Sequence, residues 1–191
     1  MKKKVLLALD IGNVCIRINH LNCAEYFGYD TIPEPLRQSA LHYECGKCSE
    51  NEFFDTLHGL LDGKFPPEQI REAFNSILIE PVPGMVELVN SFPDMGVQAV
   101  FFSDISPTHL QRTREIFPAA ERVPEGIYSF VSGALKPSAV MLNAFEQKFG
   151  TPDLYVDDRA ELISGARAHG WNAVQFSGAD HLKDELMKIT G

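Results

Sequence analysis

No apolar stretch in the 191-residue chain approaches the ~18 residues that a bilayer-spanning helix needs, so the sequence predicts no membrane protein. Positive charge is scarce as well. Seventeen Lys and Arg face 26 Asp and Glu, for a net charge of −9. A nucleic-acid binder replaces phosphate counterions with a basic surface, and this balance excludes that class. It equally excludes docking on anionic lipid. Any site for an anion must be built locally, from main-chain amides, a lysine or a metal. There is no internal repeat and no low-complexity tract, and one tryptophan, Trp171, reads as core.

Cysteine is sparse: Cys15, Cys23, Cys45 and Cys48, all in the first quarter. The Cys45–Cys48 spacing is that of a metal or redox pair. A lone pair lacks the second ligand pair of a structural zinc site and does not follow a strand, so ordinary thiols are expected. The start, three lysines and then an apolar run, imitates a signal peptide. Asp10 ends that run after five residues and no small-residue cleavage site follows, so a cytoplasmic protein with reduced thiols is expected.

What is present is a rhythm of short apolar runs and helical patterns. Residues 5–9, 97–102, 127–131, 154–156 and 173–176 read as buried strands. Between and after them, residues 85–91, 107–116, 138–149, 160–169 and 180–188 read as helices. Gly150 and Gly170 stand as stop signals, and Ser106-Pro107 is a start signal. Strand and helix alternating at this spacing predict a parallel sheet with helices on both faces. One interval breaks the rhythm. Residues 21–27, 35–45, 51–61 and 67–78 read as four helices, with Ser49 and Glu52 at capping-box spacing. They end at a stiff Glu80-Pro81-Val82-Pro83-Gly84 hinge.

Ligands of open parallel sheets bind beyond the carboxyl ends of the strands. The polar residues expected there are Asp10, then Ser103 and Asp104, then Lys136, then Asp157 and Asp158. Carboxylates gathered in one place repel unless a cation neutralises them, and Mg²⁺ takes oxygen ligands of this kind. A lysine and a hydroxyl supply donors to phosphate oxygens. A carboxylate is also a competent nucleophile towards phosphorus.

Asp10-Ile11-Gly12-Asn13-Val14, Phe102-Ser103-Asp104, Leu135-Lys136-Pro137 and Val156-Asp157-Asp158 resemble, in order, the four motifs of the haloacid dehalogenase (HAD) superfamily. The resemblance covers the whole chain. It implies an α/β fold: a Rossmann-like parallel sheet in a three-layer α/β/α arrangement, with a small helical cap inserted after the first strand. Residues 1–18 and 80–191 would be the core and 19–79 the cap. It further implies a Mg²⁺-dependent phosphatase acting on a small phosphorylated metabolite through an aspartyl-phosphate. Asp10 would be the nucleophile and a metal ligand, together with the Gly12 carbonyl and Asp158, with Asp157 beside Asp158 and acting on the metal through water. Ser103, Asp104 and Lys136 would bind phosphate. The first motif is similar to that of a sugar-phosphate phosphatase branch. The alternatives are a metal-free 2-haloacid dehalogenase and a weakly active or non-catalytic phosphate-binding protein.

Three positions depart from the family pattern. Gly12 stands where a second Asp usually handles the leaving group's proton, and His20 and His109 are the candidates to replace it. Asp104 stands where Asn is frequent. Leu162 stands where a polar residue often supports the metal, with Glu161 beside it. Tyr43, Phe53 and Phe54 are the cap aromatics with a chance of facing substrate.

Overall fold

The computed structural model describes residues 4–190. Five parallel strands form one sheet: β1 (Val5–Leu9), β4 (Val97–Ser103), β5 (Gly126–Tyr128), β6 (Leu154–Asp157) and β7 (Ala173–Gln175). Their order is β5-β4-β1-β6-β7. The chain leaves β1, builds β4 and β5 on one side, and then crosses to build β6 and β7 on the other. The order therefore reverses at β1, and the crevice at its carboxyl end is where an open α/β sheet accepts ligands.

Side-chain alternation divides the core between the two faces. Ala8, Val100, Phe102 and Tyr155 pack under α8 (Ala139–Phe149) and α9 (Ala160–His169), around Phe145 and Trp171. Leu7, Leu9, Phe101 and Val156 face α5 (Met85–Met95) and α10 (Ala179–Thr190). This is the α/β/α arrangement expected from the sequence. α6 (Pro107–Ile116) starts where predicted, with Ser106 Oγ accepting from the His109 N–H. A 3₁₀ turn, Pro118–Arg122, follows it. Among the described residues no helix is long and apolar enough to cross a membrane.

Four helices lie between the first two strands of the large sheet: α1 (His20–Tyr26), α2 (Glu34–Glu44), α3 (Glu50–Leu60) and α4 (Pro67–Asn75). The Ser49–Glu52 capping box forms in both directions. The sequence reading missed the stem that carries these helices. β2 (Ile16–Ile18) pairs antiparallel with β3 (Leu78–Pro81), where a helix running to 78 and then a hinge were expected. The last helix stops at Asn75, after which the Ser76 hydroxyl donates to the Ala73 carbonyl. Pro81 is tolerated because this ribbon has only two strands, so each has an edge free of ladder bonds.

Two further boundaries differ. α5 continues through Pro93 and ends at Gly96, whose φ of 71° closes the helix in the left-handed region. The third predicted strand ends at Tyr128, and Ser129–Ser132 turn into a short helix, α7. The Ser129 hydroxyl accepts from the Ile105 N–H and donates to the Glu44 carbonyl. That pulls the chain out of the ladder and leaves Val131 in solvent.

Candidate active site at the carboxyl edge of the sheet

Register explains why distant residues meet. Leu9 lies opposite Phe101 on one side and Val156 on the other. Asp10 therefore emerges level with Phe102 and Asp157, with Ser103 one step further. The Asp10 N–H donates to the Val156 carbonyl at 3.1 Å, which holds the residue against β6. Lys136 arrives from the loop between α7 and α8, and its ammonium spends its three protons locally. It donates to Asp10 Oδ1 at 2.7 Å, to Asp157 Oδ2 at 2.6 Å and to the Phe102 carbonyl at 3.1 Å. Asp10, Lys136 and Asp157 are all buried.

These charges retune one another. Burial pushes the Asp10 carboxyl up, to about 6; Lys136 opposes the rise, Asp157 adds to it, and the Ser103 hydroxyl opposes it. Burial also works against charge on Lys136, yet Asp10, Asp157 and Asp104 outweigh it and hold the lysine above its ordinary range. Burial alone would raise Asp157, but Lys136, Tyr155 and the Arg159 N–H together bring it below the usual carboxylate value.

The two acids of the fourth motif are engaged very differently. Asp157 accepts from three donors: Oδ1 from the Arg159 N–H, and Oδ2 from Lys136 and from the Tyr155 hydroxyl. Asp158 is half-buried and accepts from the Asn13 side chain at 3.1 Å. Asn13 itself has φ of 52°, and its Oδ1 accepts from the Ile18 N–H, so the turn after β1 is pinned to Asp158. Asp104, expected at the phosphate, instead turns its carboxylate to the Lys136 N–H and to the Arg159 guanidinium. It anchors the lysine loop, and any phosphate contact from this position falls to its main chain.

Asp10, Asp157 and Asp158 offer ligand oxygens within 4.8 Å of one another. Lys136 offsets one of these charges, and Arg159 is drawn to Asp104. The surplus of negative charge and the all-oxygen donor set fit a hard divalent cation. Asp10 and Asp158 are better placed to hold it than Asp157, which already accepts from three donors. Gly12 borders the same cavity. Leu162 is buried in the core, and Glu161 lies out in solvent beside Arg159.

The cavity over the edge has a volume of about 560 Å³ and is bordered by Asp10, Gly12, Ser103, Lys136 and Asp158 from the sheet side. His20, Leu41, Glu44 and Ile77 close the opposite side. The same four residues also border a second, almost wholly apolar chamber of about 120 Å³ among the helices, which reaches Phe53. Tyr43 stacks on Phe53 at 4.4 Å and is buried, so it serves packing. His109 is buried, donates from Nε2 to the Phe74 carbonyl, and stacks on the Phe74 ring at 3.9 Å. Burial first, then the charge of His20, push it down to about 4 against the pull of that carbonyl. It is a neutral packing residue at working pH. Cys15, Cys23, Cys45 and Cys48 form no disulfide.

Glu44, Tyr155, Arg159 and Ser129 are the participants that sequence reasoning did not single out. Arg159 was findable, since it directly follows the fourth motif. The other three acquire a role only through packing.

No family model matches the sequence, and no curated protein matches it either. Solved structures do match. A HAD family enzyme from Bacteroides thetaiotaomicron superimposes with a TM-score of 0.83 at 21% identity, covering 94% of this chain and 98% of that one. The same enzyme in complex with magnesium and inorganic phosphate gives a TM-score of 0.80 at 19% identity over 92% and 95%. L-2-haloacid dehalogenase from Xanthobacter autotrophicus, with chloropropionic acid covalently bound, gives 0.62 at 18% over 98% and 83%. The chain thus has the fold of the HAD enzymes.

Proposed function

We propose that the protein is a Mg²⁺-dependent phosphatase of small phosphate monoesters, working through an aspartyl-phosphate on Asp10. The observation that supports it best is the convergence of Asp10, Lys136, Ser103 and Asp158 at one cavity on the sheet edge. The Bacteroides enzyme with this fold binds magnesium and inorganic phosphate, which agrees with the reading.

A bound Mg²⁺, held by Asp10, Asp158 and the Gly12 carbonyl, would neutralise charge on the phosphoryl group and on the nucleophile. Lys136 keeps Asp10 oriented and ionised, and supplies positive charge beside the transferring group. Ser103 and main-chain amides donate to its oxygens. An Asp10 oxygen attacks phosphorus, the ester P–O bond breaks, and water later cleaves the acyl phosphate. Residues 19–79 act as a cap whose inner face selects the leaving group. The apolar chamber suits a leaving group with a small apolar part, because a polyol there would bury hydroxyls without partners.

The dehalogenase reading uses Asp10 on carbon and needs no cation. The Asp10–Asp157–Asp158 cluster counts against it, since these carboxylates without a cation raise the cost of an ionised nucleophile. A panel of phosphate monoesters with Mg²⁺, with EDTA, and with Asp10→Asn decides the matter. Turnover should require Mg²⁺ and fall on the order of 10⁶-fold in the variant, as removal of a nucleophile does elsewhere. EDTA-insensitive turnover, or halide release from a 2-haloacid without metal, sinks the phosphatase reading.

A further inference from the structure

Gly12 leaves the nucleophile's loop without a second carboxyl, yet an alkoxide leaving group needs a proton. The two histidines considered for the task are poorly suited. His109 is neutral and engaged with Phe74. His20 borders the cavity, but burial lowers its proton affinity below that of an ordinary histidine. One other proton carrier stands between the phosphate end and the helices. Glu44, the last residue of α2, borders both the polar cavity and the apolar chamber. Its main-chain carbonyl is fixed by the Ser129 hydroxyl at 2.7 Å, which ties this helix end to the sheet.

We propose that Glu44 is the general acid and base of the reaction, standing at the junction where the scissile oxygen lies between a phosphate held at Asp10 and a leaving group received by the apolar chamber. The assignment rests on the phosphatase reading above. In the first step an Asp10 oxygen bonds to phosphorus. The ester P–O bond breaks with its electron pair on the leaving oxygen, and the Glu44 proton moves to that oxygen, giving the free alcohol. In the second step the Glu44 carboxylate takes a proton from water as the water oxygen bonds to phosphorus. The Asp10–phosphorus bond breaks, inorganic phosphate forms, and both carboxyls return to their starting states.

The electrostatic setting agrees. Burial and the Asp104 carboxylate push Glu44 up to about 7, with Arg159 opposing. The carboxyl end of α2 works in the same direction, since a helix C-terminus disfavours negative charge. The titratable and charged groups around the junction are Asp104 after β4, His109 in α6, Arg159 before α9 and His20 at the start of α1, with Asp10, Lys136 and Asp158 bordering the sheet side of the cavity and Arg37 bordering the chamber. An acid poised near neutrality can both give and take a proton at working pH.

The test compares kcat/KM for n-butyl phosphate and p-nitrophenyl phosphate with Mg²⁺ in the full chain, Glu44→Gln, His20→Gln and Asp10→Asn. A nitrophenolate departs without a proton, whereas a butoxide does not. Glu44→Gln should lower the butyl ester rate by about 10²- to 10³-fold and the nitrophenyl rate by less than about tenfold; the retained aryl rate reports a folded variant. The wild-type butyl rate should decline above about pH 7, and the aryl rate should not. Equal loss on both esters, or the leaving-group-selective loss in His20→Gln instead, overturns the assignment. If wild-type protein hydrolyses neither ester, or Asp10→Asn remains active, the phosphatase reading falls and takes this assignment with it.

Discussion

At the carboxyl edge of the sheet, each central buried charge has at least two partners. Lys136 binds two carboxylates and a carbonyl, and Asp157 accepts from three donors. The four helices across the cavity present mostly apolar surface, a hollow of about 120 Å³, and few polar ties to the core. Those ties are the Tyr43–Thr108 pair, the Thr108–Glu50 bond, the Ser129–Glu44 bond and the His109–Phe74 bond. The contrast teaches a division of labour. A reaction centre gains from groups preset in place, because nothing then has to reorganise as charge develops. A surface that admits and releases different leaving groups gains from apolar packing, which is non-directional.

Breaking the preset edge should cost the most. Lys136→Met leaves Asp10 and Asp157 buried without their shared cation, and should destabilise the fold by about 3–5 kcal/mol in urea unfolding, as stranding a buried charge does. Saturating Mg²⁺ should return part of that loss; full stability in the absence of metal would show that the edge is not preset by charge. Acid strikes next at the seam between the four helices and the rest of the chain, where His109 meets the Phe74 carbonyl. His109 binds its proton near pH 4 in the folded chain and near 6.5 when unfolded. Between those values the unfolded chain holds the extra proton, so stability falls as pH drops through that window. The loss should reach roughly 3 kcal/mol by pH 4 relative to His109→Asn measured in parallel. Parallel pH curves for the two proteins would remove His109 from the seam's energetics.

Smaller effects sharpen the contrast. A Cβ on Gly165 would sit 2.6 Å from the Pro137 ring, next to Lys136. Gly165→Ala should therefore lose about 1–3 kcal/mol through overpacking and slow turnover, although alanine in a helix interior normally gains about 1 kcal/mol. A stabilised, fully active variant would mean that the lysine loop yields freely. Thr108 donates its only hydroxyl proton to Glu50, so the Tyr43 hydroxyl is the donor in its pair with Thr108. Tyr43→Phe should cost about 1 kcal/mol. It should raise KM more than it lowers kcat for the smallest esters, and an equal change in both would place the seam inside the chemistry.

Much of this was legible beforehand. The strands that build the sheet are short apolar runs closed by turn residues, so β1, β4 and β6 and the polar residues at their ends stood out. Lys136 stood out by its motif, and a bare lysine in a loop would not have. The β2–β3 ribbon was hidden because Ile16–Ile18 is only three residues long and Leu78–Pro81 contains a proline. Local pattern assigns such segments to a turn or to the tail of a helix. Val131 looked like strand for the converse reason: its propensity is right, but two hydrogen bonds at Ser129 override it.

The sequence by itself determined the class of fold, the order of its strands along the chain and which acidic, hydroxyl and lysine positions close them. Hydrophobic periodicity and turn chemistry are local properties, and they report such features directly. Only the tertiary structure decided that Asp104 turns to Arg159, that Asp157 accepts from Lys136, Tyr155 and Arg159 together, and that Glu44 stands between two cavities. Those outcomes depend on which groups arrive from elsewhere in the chain to compete for the same charge and the same space. Spacing along the sequence carries no record of that competition.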